Sequence, residues 1–375
     1  MEELLKNHMF ATHAIAAGGS VVLSSALTHP LDTLKTLVQV GADSSKKLLF
    51  SQVLDRVRLV SGSLGLYSGF GWSTLSRISG LGARFGLYEL LTGFYKDGRE
   101  DNYIYVNEAL LAGITVGAVE GIISTPFELF KLRAQVTSAF HFPTSSSVTK
   151  QSITPVKFLR GCTPDKKAWE HTIGLLSTLS TKHPNFVGAL KEYPWMLTGS
   201  GRQPFAYEVK GPSNIISLEG WRVLWRGLRP GIVRDSVFCG IFFSSWQFIH
   251  LIMLDWKAVD MKPEPKPRAY EEIGTVSPLA ASIAAGFSGS VAAAASHTFD
   301  TAKGRSQCVV VPKFVSMEQK LLKWKPSGYW FERVTGISPT DRSILFRGIW
   351  LRMARSGLAS FVVVGSYFWA VDHLL

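Results

Sequence analysis

The chain has 375 residues, 46% hydrophobic and 18% charged, with 34 glycines and a formal net charge of +12. These values fit neither a set of ordinary soluble domains nor a bundle facing lipid on every side. A membrane protein lining a wet cavity lies between the two, because each helix then keeps one polar face.

Residues 9–27 are apolar, and Ser24-Ser25-Ala26 loosely resembles a signal-cleavage site. The preceding segment carries Glu2 and Glu3 against Lys6, and the apolar run leads straight into a polar motif, so a retained transmembrane helix is expected. No Arg-rich, acid-poor presequence is visible. The first span, 8–40, ends in Pro30-Leu31-Asp32-Thr33-Leu34-Lys35, with Gln39 four residues beyond the lysine. Acid and lysine three apart share one helix face, and such a polar cluster closing an apolar segment is costly in lipid unless charges from different segments meet. After a short amphipathic stretch, Leu48 to Val60, the landmark Tyr67-Ser68-Gly69 precedes a second span, 70–96.

The pattern then returns. A span over 104–138 contains Pro126-Phe127-Glu128-Leu129-Phe130-Lys131 and Gln135, and Trp225-Arg226-Gly227 precedes a span over 228–256. A span over 276–309 contains Thr298-Phe299-Asp300-Thr301-Ala302-Lys303 and Gln307, and Phe346-Arg347-Gly348 precedes a last span over 349–374. The distance from motif to landmark is 39 residues from Pro30 to Gly69, 50 from Thr298 to Gly348 and 101 from Pro126 to Gly227. The second unit therefore holds an insertion over 139–217, read as a solvated loop with one short helix over Trp169 to Leu179, and a second short amphipathic helix follows over Ser213 to Leu218. Residues 258–272 read as an exposed linker. The units are 1–102, 103–257 and 258–375, giving an all-α membrane fold of six transmembrane helices with threefold pseudosymmetry. Pro30 and Pro126 should kink their spans; Thr298 bends a helix only weakly. Gly18-Gly19, Gly113-x-x-x-Gly117 and Gly286-x-x-x-Ser290 are expected to let neighbouring helices approach closely, and Gly80-x-Gly82-x-x-x-Gly86 reads as a packing face rather than a dinucleotide loop.

The connections that follow the motifs carry formal charges of +2 (40–68), +5 (136–222) and +4 (309–347), almost all of the +12 total. The opposite connections are near neutral. This is a positive-inside asymmetry, so the basic charge sets topology and nucleic-acid binding is not indicated. Cys162, Cys239 and Cys308 are odd in number and far apart, which indicates neither a disulfide framework nor a zinc site. No cofactor or metal is expected, and no Ser-His-Asp, His-x-x-x-His or phosphate-loop pattern points to an enzyme.

The threefold Pro-x-acid-x-x-Lys sequence, its trailing Gln and the landmark glycines resemble the mitochondrial carrier family. Glu219-Gly220 with Trp225-Arg226-Gly227 matches the family landmark in full, Phe346-Arg347-Gly348 matches in part, and Tyr67-Ser68-Gly69 lacks the basic residue. The resemblance implies a monomeric multi-pass protein of the mitochondrial inner membrane with both termini in the intermembrane space; a plastid or peroxisomal membrane is the alternative. Membrane lipid, cardiolipin included, and a small-molecule solute are the implied partners. It also implies a matrix gate of ion pairs joining Asp32 to Lys131, Glu128 to Lys303 and Asp300 to Lys35, braced by Gln39, Gln135 and Gln307. The gate on the opposite side is eroded: Tyr88-Glu89-x-x-Thr92, Trp246-Gln247-x-x-His250 and Tyr367-Phe368-x-x-Val371 hold no complete charge pair.

Charges midway along the even spans are the candidate substrate contacts: Arg77, Arg84, Arg234, Asp235 and Arg355, with Arg352 three residues before the last. Arg234-Asp235 is similar to the contact of carriers for amino acids and zwitterions such as carnitine, an arginine fork taking the carboxylate and Asp235 the ammonium; the alternative is that the two pair with each other or with a neighbouring helix. Glu120 is a further negative group, a proton site or an interhelical contact. His29 and His297 occupy equivalent positions and are expected to form interhelical hydrogen bonds. The tryptophans are expected at the lipid interface. The expected function is alternating-access transport of a small polar metabolite, an amino acid or related zwitterion, as an antiporter; the alternatives are a non-transporting membrane scaffold and a carrier of anionic carboxylates or nucleotides.

Overall fold

A computed structural model describes residues 2–41, 50–97, 104–140, 209, 211–260, 276–310 and 339–374. The Trp169 to Leu179 helix, nearly all of the insertion and most of the linker lie outside them. Six long segments form the bundle: α1 (Glu2–Val40), α3 (Phe70–Lys96), α4 (Val106–Phe140), α6 (Leu228–Asp260), α7 with α8 (Pro278–Ala295 and His297–Cys308), and α9 (Ile349–Leu374). Short helices α2 (Phe50–Ser61) and α5 (Pro212–Glu219) lie in the basic connections. Packing runs α1 to α3 to α4 to α6 to α7, then to α9 and back to α1, so the ring is closed. Among the described residues five segments are long and apolar enough to cross a bilayer; α3, of 27 residues, completes the ring while carrying Arg77, Arg84 and Glu89.

The landmark glycines start the even helices for a backbone reason. Gly69, Gly227 and Gly348 have φ of 78°, 78° and 81°, where an L side chain is strained. Each follows a 3₁₀ turn: Ser63–Tyr67, Trp221–Trp225 and Pro339–Phe346. A Cβ on Gly69 would lie 3.0 Å from the Lys131 carbonyl oxygen, and one on Gly227 2.6 Å from Ser306 Oγ. The landmarks thus pin each of these two helix starts against the motif of the following unit.

Glycine also sets the helix spacing, though not everywhere expected. A Cβ on Gly117 would lie 2.2 Å from the Asp235 carbonyl oxygen, and one on Gly113 2.6 Å from that of Cys239, so α4 and α6 pack backbone to backbone. Across α7 and α9, Gly286 meets Gly357, and Ser290 Oγ donates to the Met353 carbonyl at 3.3 Å. Gly18 and Gly19 behave otherwise: no atom lies within 4 Å of a Cβ at either, and the same holds for Gly82 and Gly86. These four mediate no close approach: Gly18 and Gly82 border a cavity, and Gly19 and Gly86 are exposed.

The prolines are absorbed without a break: α1 and α4 run continuously through Pro30 and Pro126. The third odd segment, which has no proline at its motif, is the one that breaks, two residues before Thr298. At Ser296 (φ −91°, ψ 7°) the helix is interrupted, with Ser296 Oγ donating to the Ala292 carbonyl at 2.8 Å while Arg352 Nη2 donates to the same hydroxyl at 2.7 Å. Back-bonding plus an outside donor does here what proline does elsewhere.

Beneath the bundle, Ile215, Leu218, Val223 and Leu224 pack on Leu129, Leu132 and Val136. Arg133, fully buried, spans this layer: Nη2 lies 2.9 Å from Glu219 Oε1 and Nε donates to the Gln307 carbonyl at 3.0 Å, while Arg226 also pairs with Glu219. The acid and base of the Glu219-to-Gly227 landmark are therefore two ends of one buried ion cluster, closed by an arginine from α4.

Gly117→Val is expected to lower stability by about 1–3 kcal/mol through overpacking, because the added atoms meet backbone. Gly18→Ala should leave the thermal melt unchanged. Melting curves of the two variants in the same detergent check the contrast.

Candidate functional site

Three carboxylates close the bundle at the end that carries the basic connections. Lys35 Nζ lies 2.7 Å from Asp300 Oδ2, Lys303 Nζ 2.5 Å from Glu128 Oε2, and Lys131 pairs with Asp32. The pairs join α1 to α4, α4 to α8 and α8 to α1, a closed triangle. Asp32 and Lys303 are each only 1% exposed, so these are buried charges, retained because each has its partner.

The glutamines do not brace the triangle equally. Gln39 Nε2 donates to Asp300 Oδ2 at 3.2 Å and to Thr301 Oγ1 at 3.1 Å; Gln135 Nε2 donates to Asp32 Oδ2 and Thr33 Oγ1, both at 3.2 Å. Gln307 leaves the pattern and donates to the Arg226 carbonyl at 3.3 Å. The cause is legible in the motif. The residue after the acid is threonine in the first and third copies and Leu129 in the second, so no hydroxyl waits for Gln307, and both oxygens of Glu128 are already taken.

Lys303 takes one of them, and a second tier of cations from the even helices takes the other. Arg234 Nη2 lies 2.8 Å from Glu128 Oε1, and Arg355 Nε lies 3.0 Å from Asp32 Oδ1. The Arg355 contact is misaligned for a hydrogen bond and is electrostatic. Arg352 Nε lies 3.7 Å from Asp300 Oδ2, and Arg234 Nη1 lies 3.4 Å from Asp300 Oδ1. Each carboxylate is thus shared between a lysine of an odd helix and an arginine of an even one. Sequence reasoning placed Arg234 and Arg355 in the cavity and did not tie them to the triangle; their spacing from the landmark glycines fixes depth but not direction.

A small polar cavity of 180 Å³ lies directly on this tier, lined by Arg77, Arg84, Arg234, Arg352 and Arg355 against Glu120, Glu128, Asp235 and Asp300. Arg84 is spoken for: its Nε and Nη2 donate to the two Glu120 oxygens, both at 2.7 Å, and its guanidinium lies 5.1 Å from the Phe238 ring centroid. Glu120 also accepts from Cys239 Sγ at 3.3 Å, so it is engaged as an interhelical contact. Arg234 chelates its neighbour Asp235 at 2.7 and 2.9 Å. Arg77 differs. It donates to Ser25 Oγ at 3.3 Å and Thr28 Oγ1 at 3.0 Å and, among the described residues, has no carboxylate within ion-pair range.

A larger, apolar cavity of 620 Å³ shares Val21, Leu81, Phe85, Phe242, Val363 and Val364 with the polar one. Trp246 lines it, contrary to the expectation that the tryptophans face the interface; Trp256, Trp350 and Trp369 do lie exposed on the bundle surface. At the far end, Tyr88 stacks on Phe243 with centroids 3.7 Å apart and Gln247 Nε2 donates to the Ile104 carbonyl at 2.9 Å. Among the described residues no ion pair joins the Tyr88, Trp246 and Tyr367 motifs. His29 and His297 each hydrogen-bond a landmark carbonyl, of Ser68 at 3.1 Å and Arg347 at 3.2 Å.

Residues 6–99 match the sequence profile described as mitochondrial carrier protein. That stretch of the chain is similar to the mitochondrial carrier family. Among similar proteins, mitochondrial brown fat uncoupling protein 1 of Ovis aries is 30% identical over 138 residues, 36% of this chain and 44% of that protein. The same protein of Bos taurus is 29% identical over 142 residues, covering 36% and 45%. A protein of Dictyostelium discoideum named probable mitochondrial 2-oxoglutarate/malate carrier protein is 29% identical over 131 residues, covering 34% and 41%. The chain therefore spans less than half the length of the relatives it matches.

The unequal bracing gives an ordered prediction. Gln39→Ala and Gln135→Ala each remove a bond to a buried carboxylate and should cost about 1.5–3 kcal/mol, whereas Gln307→Ala should cost under about 1 kcal/mol. Thermal unfolding of the three variants checks the order.

Proposed function

We propose that the chain is a mitochondrial-carrier-type transporter moving an anionic, carboxylate-bearing solute across the inner mitochondrial membrane by alternating access, with the basic connections on the matrix side. Units 1–102, 103–257 and 258–375 act as three repeats around the central cavity, and the carboxylate triangle is the matrix gate. The observation that carries the solute class is Arg77, a cavity cation held among the described residues by the hydroxyls of Ser25 and Thr28, in a lining with five arginines and four acids. An uncompensated guanidinium in a low-dielectric site favours an incoming carboxylate, which it can meet in fork geometry.

The zwitterionic alternative needs Asp235 to receive an ammonium. Both its oxygens are engaged by Arg234, so that role would first require breaking a buried chelate. The relative named as a 2-oxoglutarate/malate carrier points the same way.

The shared carboxylates supply a coupling mechanism. An anion entering the polar cavity competes with Glu128, Asp300 and Asp32 for Arg234, Arg352 and Arg355. Each arginine it takes leaves a gate acid with one cation fewer, which lowers the cost of separating it from its lysine. Buried pairs add little net stability because desolvation offsets attraction, so modest differential binding can shift the balance between closed and open states.

In proteoliposomes the wild type should exchange labelled dicarboxylate in preference to amino acids. Arg77→Gln should lower that exchange by about 10- to 100-fold, the loss of one charge-assisted contact. Preference for a zwitterion, or an Arg77→Gln variant as active as wild type, would overturn the assignment. Because no ion pair is seen among the described residues at the Tyr88 end, Glu89→Ala should leave exchange rates within about twofold of wild type; complete inactivation would show that a charge at that end is required.

A further inference from the structure

We infer that the solute carries an apolar body behind its anionic head, a class narrower than the carboxylates in general and one that rests on the anion reading above. The large cavity has no charged side chain in its lining, and its only polar side-chain atoms belong to Trp246 and Tyr367. The Tyr367 hydroxyl is already engaged with His13 Nδ1 at 3.0 Å. A small, fully hydrated ion finds no partner on these walls, and a stripped one would lose its water for nothing. An alkyl or aryl group gains by leaving water there. At 620 Å³ the space is of the size that encloses a drug-sized organic molecule, not a single small metabolite.

Position fixes the orientation. The apolar cavity opens onto the arginine floor through shared residues of α1, α3, α6 and α9, so one molecule can place its carboxylates among the arginines and its body between Phe242, Trp246 and Phe368. The room is made by glycine. Gly18 and Gly82 border the cavity with nothing within 4 Å of where a Cβ would stand, although the sequence pattern reads both as helix-packing positions. Their missing side chains leave part of the cavity open.

The test uses succinate and its 2-ethyl, 2-butyl and 2-octyl derivatives, a series with one head and a growing body, bound to the full chain in phosphatidylcholine nanodiscs. Affinity should rise about fourfold per methylene until the cavity is filled. Gly18→Leu, whose side chain enters open space, should abolish that increment and leave succinate binding as it is. Equal affinity across the series would overturn the apolar body while leaving the anion reading standing. An increment that persists undiminished in Gly18→Leu would place the tail in the bilayer and also overturn it. Failure of every member to bind, succinate included, to protein with a normal melt would overturn the anion reading itself.

Discussion

The fold closes on three buried carboxylates, each held from two directions. A lysine from the next odd helix and an arginine from an even helix converge on Asp32, Glu128 and Asp300, and these contacts tie all three units together. A charge taken out of water is tolerable only while its partners are in place. The remaining features follow from this. The landmark glycines set the starts of α3, α6 and α9 so that the arginines reach the right depth, and the glycine contacts between α4 and α6 hold Arg234 and Asp235 close to Glu128. Arg133, with Glu219 and Arg226, anchors the layer beneath.

Threefold repetition is the plan, and the departures from it are informative. Leu129 stands where the other motifs have threonine, and Gln307 accordingly abandons its carboxylate for a backbone carbonyl. Arg234 compensates by reaching Glu128 and Asp300 together, so the second unit is held by charge where the others are held by glutamine. The third unit lacks the motif proline yet carries the only interruption among the described odd segments, made by Ser296 and Arg352. Arg352 thereby touches both the break and the Asp300 carboxylate, which ties the bend of that segment to the ion-pair ring.

The interior is divided by chemistry. Near the triangle it is charged and narrow; toward the opposite end it is wide and lined by aromatic and aliphatic groups. The closure on that side has no described ion pair, only stacked rings and side-chain hydrogen bonds. Strong electrostatics at one end and weak contacts at the other place the energetic control of the proposed transport cycle at the carboxylate ring.

Much of this was legible in the chain itself. Helix positions followed from apolar length and from the glycine landmarks, within a few residues for all six spans, because lipid forbids an unpaired backbone and leaves helices as the solution. The partners of Asp32, Glu128 and Asp300 among the lysines followed from repetition once the family was recognised. What the sequence could not decide was direction. Arg84 and Arg234 sit at the depth of a solute site, but whether each faces a solute or a neighbouring acid depends on helix rotation, and tertiary packing turned Arg84 to Glu120 and Arg234 to Asp235 and Glu128. Likewise Gly18 and Gly82 match a packing motif in one dimension, yet they border a void because no neighbouring helix comes close there. Spacing along a chain fixes which residues share a face; only the packed bundle decides what that face meets.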